Sequence, residues 1–209
     1  MQSLPDFKFE KELWQKGIRI IGGADEVGRG AFAGPVVAAC VVFRSGFVFS
    51  DAEGELINDS KKLSSKKREI ADIWIKENSL AYGIGSASVA EINKHGIVKA
   101  TNKAFRRAIE NCDLKIENLL VDAFYVSRVH GISRNKQTAI IKGDSLSVSI
   151  ASASIIAKVY RDKLMVALSK NIKYEKYKWN ENKGYGTKSH RQIIQKEGIS
   201  RLHRTKFCH

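Results

Sequence analysis

Four carboxylates in this chain stand where acids are uncommon. Asp25 and Glu26 end the apolar run Ile18 to Ala24 (IRIIGGA) and enter a glycine-rich turn, and Asp122 ends a second run, Asn118 to Val121 (NLLV). Acids normally occupy solvated faces, whereas ligands in α/β sheets gather at the carboxyl ends of strands. Asp162 falls in the series Ile155, Val159, Asp162, Val166, whose spacing traces one face of a helix. A buried carboxylate takes up a proton or finds a partner. For any single acid a cation such as Arg29 or Lys158 is the ordinary partner. For four acids meeting in one place, the partner is a hard cation. Mg²⁺ prefers oxygen ligands and keeps waters and phosphates in its shell, and two such ions ~3.5–4 Å apart serve phosphoryl transfer.

The overall charge is of the opposite sign. Lys and Arg number 36 against 22 Asp and Glu, a net charge of +14 with a pI near 9.7. That balance points to a polyanionic partner such as nucleic acid. A basic surface around an acidic metal site is the charge pattern of a nuclease. Lys61, Lys62, Lys66, Lys67 and Arg68 form one basic run, most of it read as a solvated helix start. The stretch from Lys183 to Lys206, with Lys188, Arg191 and Arg204, reads as a patch that contacts the phosphate backbone. Tyr185 lies between two glycines and is read as a presented ring, an arrangement that suits stacking on a base or sugar. Gly28, Gly30 and Gly34 match neither dinucleotide-binding nor P-loop spacing. Trp14, Trp74 and Trp179 are read as packing residues.

The elements that must position these groups follow from periodicity. Ile18 to Ala24 reads as a buried strand and Val36 to Phe43 as its antiparallel partner. Ser64 to Asn78 reads as a helix, with Ile70, Ile73, Trp74 and Glu77 at helical spacing. A strand is expected over Leu80 to Ser86. Ser88 and Glu91 form a capping-box pattern that opens a helix broken near Gly96 and ending about Asn111. Strands at Asn118 to Val121 and Gln137 to Lys142 precede a long helix from Leu146 to Ser169. Lys170 to Asn182 reads as a loop, and a last helix runs from a Thr187 cap to Gly198. This order predicts an α/β fold, a mixed sheet flanked by helices, with a helical C-terminal part at about residues 170–209 that binds substrate. One domain is expected over residues 1–209.

Composition removes other classes. With 43% apolar and 28% charged residues, the chain is neither disordered nor collagen-like. Cys40, Cys112 and Cys208 are scattered, so no zinc ribbon or disulfide framework is expected, and reduced thiols suit the cytoplasm. No signal peptide is read at the N-terminus. The longest apolar run, Ala31 to Phe43, is too short to span a bilayer. A cytoplasmic monomer without membrane contact or evident protein partner is expected.

The motifs then resemble one family, ribonuclease HII. DEVGRG at Asp25 to Gly30, GPVVAA from Gly34, DSKKLS at Asp59 to Ser64, LLVDA, KGD at Lys142 to Asp144, SIASASIIAKVYRD ending at Asp162 and NKGYGTKSH at Asn182 to His190 are similar to that family and come in its order. The resemblance implies a ribonuclease H-like fold. It implies hydrolysis of the RNA strand of RNA–DNA hybrids and incision 5′ of single ribonucleotides in duplex DNA, leaving 3′-hydroxyl and 5′-phosphate ends. It implies two ions, Mg²⁺ or Mn²⁺, held by catalytic Asp25, Glu26, Asp122 and Asp162. It further implies that Gly28, Arg29 and Gly30 contact the ribose 2′-hydroxyl and that Tyr185 senses the junction with DNA. Lys61, Lys188, Arg191 and Arg204 complete the expected substrate contacts. The end of the pattern, usually HRRSF, here reads His203-Arg204-Thr205-Lys206-Phe207. The related ribonuclease HIII, with its extra N-terminal domain, is set aside on length. A non-catalytic RNA-binding protein would explain the charge but not Asp162 on an apolar stripe. A junction resolvase would lack the tyrosine between glycines.

Overall fold

The computed structural model describes residues 4–49, 54, 56–58, 60 and 63–208. Asp59, Lys61 and Lys62 lie outside them, and so does the expected substrate contact of Lys61. Strands β1 (Ile21–Val27), β2 (Val36–Val42), β3 (Ala81–Ala87), β4 (Asn118–Asp122) and β5 (Gln137–Ile140) form one sheet in the order β3-β2-β1-β4-β5. The first three are antiparallel neighbours; β4 and β5 run parallel to β1. Around them lie α1 (Lys8–Trp14), α2 (Ser65–Asn78), α3 (Val89–His95), α4 (Ile97–Glu110), α5 (Val148–Ser169), α6 (Trp179–Asn182) and α7 (Lys188–Glu197).

Strand alternation divides the core between two faces. On β2, Val36, Ala38, Cys40 and Val42 pack with Ala104, Phe105 and Ala108 of α4, while Val37, Ala39 and Val41 pack with Ala151, Ile155 and Ile156 of α5. Each fully buried large apolar side chain, such as Phe105, contributes about 1.5–3 kcal/mol. The capping box of Ser88 and Glu91 forms both of its bonds, and Gly96 at φ +81° separates α3 from α4. α5 starts so close to β1 that a Cβ on Gly23 would lie 2.3 Å from the Ser149 backbone carbon. This approach delivers the middle of α5 to the carboxyl end of β1.

Three local expectations change. The first strand runs three residues past Ala24 and takes Asp25 and Glu26 into the ladder, opposite Ala39 and Ala38. Pairing through Val27 and Val37 holds it there. On α2, Ile70 and Ile73 are exposed; the buried residues are Ala71, Asp72 and Ile75. The small Ala71 lets the helix lie close, and Asp72 is kept buried by Lys76, 2.8 Å away. Between Lys170 and Asn182 the chain folds the short helix α6, whose Trp179 is fully buried with Tyr174 and Tyr177 in a cluster beneath Ala33 and Met165. Trp14 and Trp74 also pack against core. Among the described residues no helix is long and apolar enough to cross a membrane.

Candidate active site

Neighbouring parallel strands bring two of the acids to one edge. Asp25 is in β1 and Asp122 ends β4, which pairs with β1 up to Ala24 and Val121. Ala24 enters the α4-side core, so strand alternation turns Asp25 toward α5, where the nearby Ser154 hydroxyl favours its charged form. Its Oδ1 also accepts the Glu26 amide at 2.7 Å. Asp25, Glu26, Asp122, Gly28, Ser60, Ser154, Lys158 and Tyr185 line one cavity of about 490 Å³.

The electrostatics of this cavity are unfavourable to its own acids. Burial, then the carboxylates of Glu26 and Asp122, push the Asp25 carboxyl well above the ordinary range, against the opposing bonds from Ser154 and the Glu26 amide. Burial also raises Glu26, partly offset by Arg29, whose guanidinium is 3.6 Å away. Asp122 accepts the Gly143 amide at Oδ1, 2.7 Å.

Asp162 is placed elsewhere. It accepts from Lys158 Nζ at 2.9 Å and lines a separate cavity of about 290 Å³ with Arg68, Lys163, Lys170 and Lys183. The expected convergence of four acids is therefore corrected to three. From Val148 to Ala157 α5 is buried on every side, so it has no single stripe from which Asp162 could inherit a direction. The ordinary cationic partners hold for Glu26 with Arg29 and for Asp162 with Lys158. A further carboxylate, which periodicity does not mark, adjoins a residue bonded to Asp122. Asp144 is only 5% exposed and follows Gly143, the residue bonded to Asp122, at the carboxyl end of β5. The KGD motif carried this signal.

The glycine turn is braced from beneath. Gly28 takes φ +81°, and a Cβ there would lie 2.1 Å from Arg161 Nε, so a side chain has no room. Arg161 is fully buried and donates to the carbonyls of Pro35, Ala33 and Lys183 at 2.9–3.0 Å. Arg204 is fully buried too, and donates to the carbonyls of Arg29 and Gly34. The expected phosphate contact of Arg204 is corrected accordingly: its guanidinium is committed to backbone oxygens. Burial, then the Arg161 charge, lower its pKa to about 9. Lys188 and Arg191 are exposed, Arg191 donating to the Gly186 carbonyl and lying over the Phe32 ring. Gly30 is exposed, with open space where a Cβ would be. The Tyr185 ring faces Lys158 at 5.5 Å and Arg161 at 5.2 Å.

The donor set suits a hard divalent cation. It is all carboxylate oxygen, in a cleft whose acids raise one another's pKa. Among the described residues no three ligand side chains are already drawn into a metal cluster. The match is one of donor chemistry rather than of a finished cage.

A mixed sheet of this order, with acids on adjoining strands and helices on both faces, defines a ribonuclease H-like protein. The sequence pattern of the family described as Ribonuclease HII matches residues 22–209. A ribonuclease HII of Wolbachia sp. subsp. Brugia malayi (strain TRS) is 44% identical over 205 residues, 98% of this chain and 93% of its own. The chain belongs to the ribonuclease HII family and is an endoribonuclease of the ribonuclease H type, acting on RNA–DNA hybrids. Among solved structures, the PCNA:RNase HII complex from Archaeoglobus fulgidus matches with a TM-score of 0.69 at 25% identity, over 90% of this chain and 95% of that one. The Bst ribonuclease HIII in complex with Mn²⁺ shares the fold, with a TM-score of 0.63 at 20% identity over 87% of this chain and 63% of that one. The first was captured with a protein partner, in contrast to the expectation of none here.

Proposed function

We propose that this endonuclease incises 5′ of single ribonucleotides in duplex DNA as well as within RNA–DNA hybrids. Water adds to the phosphodiester, leaving a 3′-hydroxyl and a 5′-phosphate. The observation that carries the reading is one cavity shared by Asp25, Glu26, Asp122, Gly28 and Tyr185, which sets acids beside a sugar-reading turn. Asp25, Glu26 and Asp122 hold two Mg²⁺ or Mn²⁺ ions. Asp144, not Asp162, supplies the fourth carboxylate, because it adjoins the Gly143 contact to Asp122. When bound, the ions neutralise charge developing on the scissile phosphate. The Glu26 amide fixes the Asp25 carboxylate in the cleft.

The 2′-hydroxyl distinguishes RNA from DNA as both donor and acceptor. The turn Gly28–Arg29–Gly30 brings backbone to it, held by the bond from Arg204 to the Arg29 carbonyl and by the Arg161 side chain against Gly28. Tyr185 gives its phenol to the hydroxyl and lays its ring on the adjoining deoxyribose. A site built to bond a hydroxyl rejects the analogue lacking it, because its own polar groups are left unpaired. Lys188 and Arg191 track the phosphate backbone.

The test is duplex DNA carrying one ribonucleotide, with and without Mg²⁺. Cleavage is expected at the ribonucleotide only with metal, and none at a 2′-deoxy or 2′-fluoro replacement. Cleavage of hybrid but not of the lone ribonucleotide overturns the finer assignment and leaves the family activity standing.

A further inference from the structure

Behind Tyr185 lies a polar cluster that the carboxylate chemistry does not use. His190, in α7, is 0% exposed and His203 1% exposed. Ser200 N–H donates to His203 Nδ1 at 2.9 Å. A backbone amide has only a proton to give, so Nδ1 is bare and neutral His203 carries its proton on Nε2. That nitrogen lies 3.1 Å from His190 Nε2, which also faces the indole N–H of Trp179 at 3.3 Å. Two donors make His190 Nε2 an acceptor. The His190 proton therefore sits on Nδ1, 2.9 Å from the Tyr185 carbonyl oxygen. A single set of proton positions fits these contacts, with the Trp179 and His203 donors sharing the one lone pair of His190 Nε2, and it runs from Ser200 through both imidazoles to the peptide of Tyr185.

We propose that His190 and His203 are positioning residues for Tyr185: a two-imidazole relay that holds its carbonyl, sets its ring in the carboxylate cavity and lets go when the pair takes up a proton. The proposal rests on the reading of Tyr185 as the junction sensor. Thr187 N–H takes the other lone pair of the same carbonyl at 2.8 Å, so the peptide is pinned from two sides. An added proton has no place in this chain. On His190 it would occupy Nε2, against two donors; on His203 it would occupy Nδ1, against the Ser200 amide. Burial accordingly lowers both imidazoles, His203 to about 4.

The surroundings reinforce the neutral state. The rings of Tyr177, Trp179 and Phe32 pack against the pair. From α3, Asn93 donates to the His203 carbonyl. Charged groups nearby are mainly cationic: Arg204 beside His203, Arg191 one residue beyond His190, and Arg161 at the Tyr185 ring. Lys176 and Glu197, at the edge of Tyr177, pair with each other at 3.2 Å. Among the described residues neither ring is hydrogen-bonded by a carboxylate.

The experiment compares cleavage at a lone ribonucleotide with cleavage of a continuous hybrid, as a ratio that cancels metal and nucleophile effects. It is run at saturating Mg²⁺ from about pH 8 down to about pH 4, so that the range reaches the lowered His203 value. The wild-type ratio is expected to fall on acidification. His203→Leu removes the donor to His190 and should lower the ratio about tenfold near neutral pH, the rate equivalent of one buried hydrogen bond, and flatten its pH dependence. His203→Gln restores an N–H at the same reach and should recover most of the ratio. A folded His203→Leu with an unchanged ratio, beside a Tyr185→Ala that lowers it, overturns the relay alone. A Tyr185→Ala that leaves the ratio unchanged overturns the sensor reading and the relay with it. Imidazole ¹⁵N spectra of the unaltered protein provide a check that needs no variant: Nδ1–H on His190 and Nε2–H on His203 support the relay, and the reverse tautomer at His190 overturns it.

Discussion

The carboxylate cleft and the cluster behind Tyr185 are both buried, polar and built from ionisable residues, yet their hydrogen bonds are arranged in opposite ways. In the cleft Asp25 is pressed against Glu26 and Asp122 and its pKa rises. In the cluster His190, His203, Arg161 and Arg204 meet indole, imidazole and backbone groups in complementary donor–acceptor order. Saturated polar networks rigidify what they touch, whereas a set of mutually repelling acids awaits a cation. The cluster supplies a fixed frame, and the cleft holds a repulsion among carboxylates that a bound cation would relieve.

Breaking the cleft should cost activity and not stability. Asp25→Asn is expected to lower hydrolysis by more than about 10³-fold, since a metal ligand carries several kcal/mol of transition-state stabilisation. The metal-free melting temperature should hold or rise as a repelling charge is removed. Full activity in saturating Mg²⁺ would contradict the ligand role. Asp144→Asn and Asp162→Asn sharpen the same point: a loss of about 10²-fold or more is expected for the first and less than about threefold for the second. The opposite ranking would restore Asp162 to the metal site.

Breaking the frame should do the reverse. Arg204→Met leaves the buried carbonyl of Gly34 and the part-buried carbonyl of Arg29 without their donor, at about 1–3 kcal/mol for the buried one and less for the other, read from the denaturant midpoint. An unchanged midpoint would show that the turn stands without its brace.

The two regions should also respond to pH with opposite sign. The raised Asp25 and Glu26 pKa values mean that metal-free stability is greatest below the ordinary carboxylate range and is lost as pH rises through the folded values. The lowered His203 pKa means stability that is present above 6.5 and is lost as pH falls toward about 4. In the metal-free protein the two contributions therefore oppose each other between about pH 4 and 6.5, and Asp25→Asn should remove most of the loss of melting temperature that rising pH brings. A decline that persists in that variant would place the titrating group elsewhere.

The smallest effect concerns the exposed surface. Lys188→Ala with Arg191→Ala should flatten the dependence of log affinity on log salt by about 0.9 for each phosphate left without its cation. Cleavage at saturating substrate should stay nearly intact. An unaltered slope would move the phosphate-binding surface away from α7.

These contrasts also explain which features could be read from sequence. Asp25 and Asp122 were legible because a carboxylate closing an apolar strand breaks a strong local pattern. Asp144 was marked only by the KGD motif and not by periodicity, because it sits in a single 3₁₀ turn after left-handed Lys142, where no period exists to be broken. Arg204 looked like surface because basic composition says nothing of which guanidinium will find buried carbonyls. The meeting of His190 and His203 depends on irregular chain between them, beyond the reach of helical or strand spacing. On α2 helical spacing singles out the larger Ile70 and Ile73, although the close approach to core belongs to the smaller Ala71.

The bonds that close the glycine turn span most of the polypeptide. Arg204 reaches Gly34 across 170 residues, Arg161 reaches Pro35 across 126, and the Arg204 and Gly34 amides bond the Phe32 and Leu202 carbonyls. Contacts of such separation reward the chain only after the intervening loop entropy has been overcome, which makes them slow to form. The edge proposed to read the sugar is therefore a late event in folding: amide exchange at Gly34 should become protected only after the sheet's own amides, so that the scaffold matures before the glycine turn.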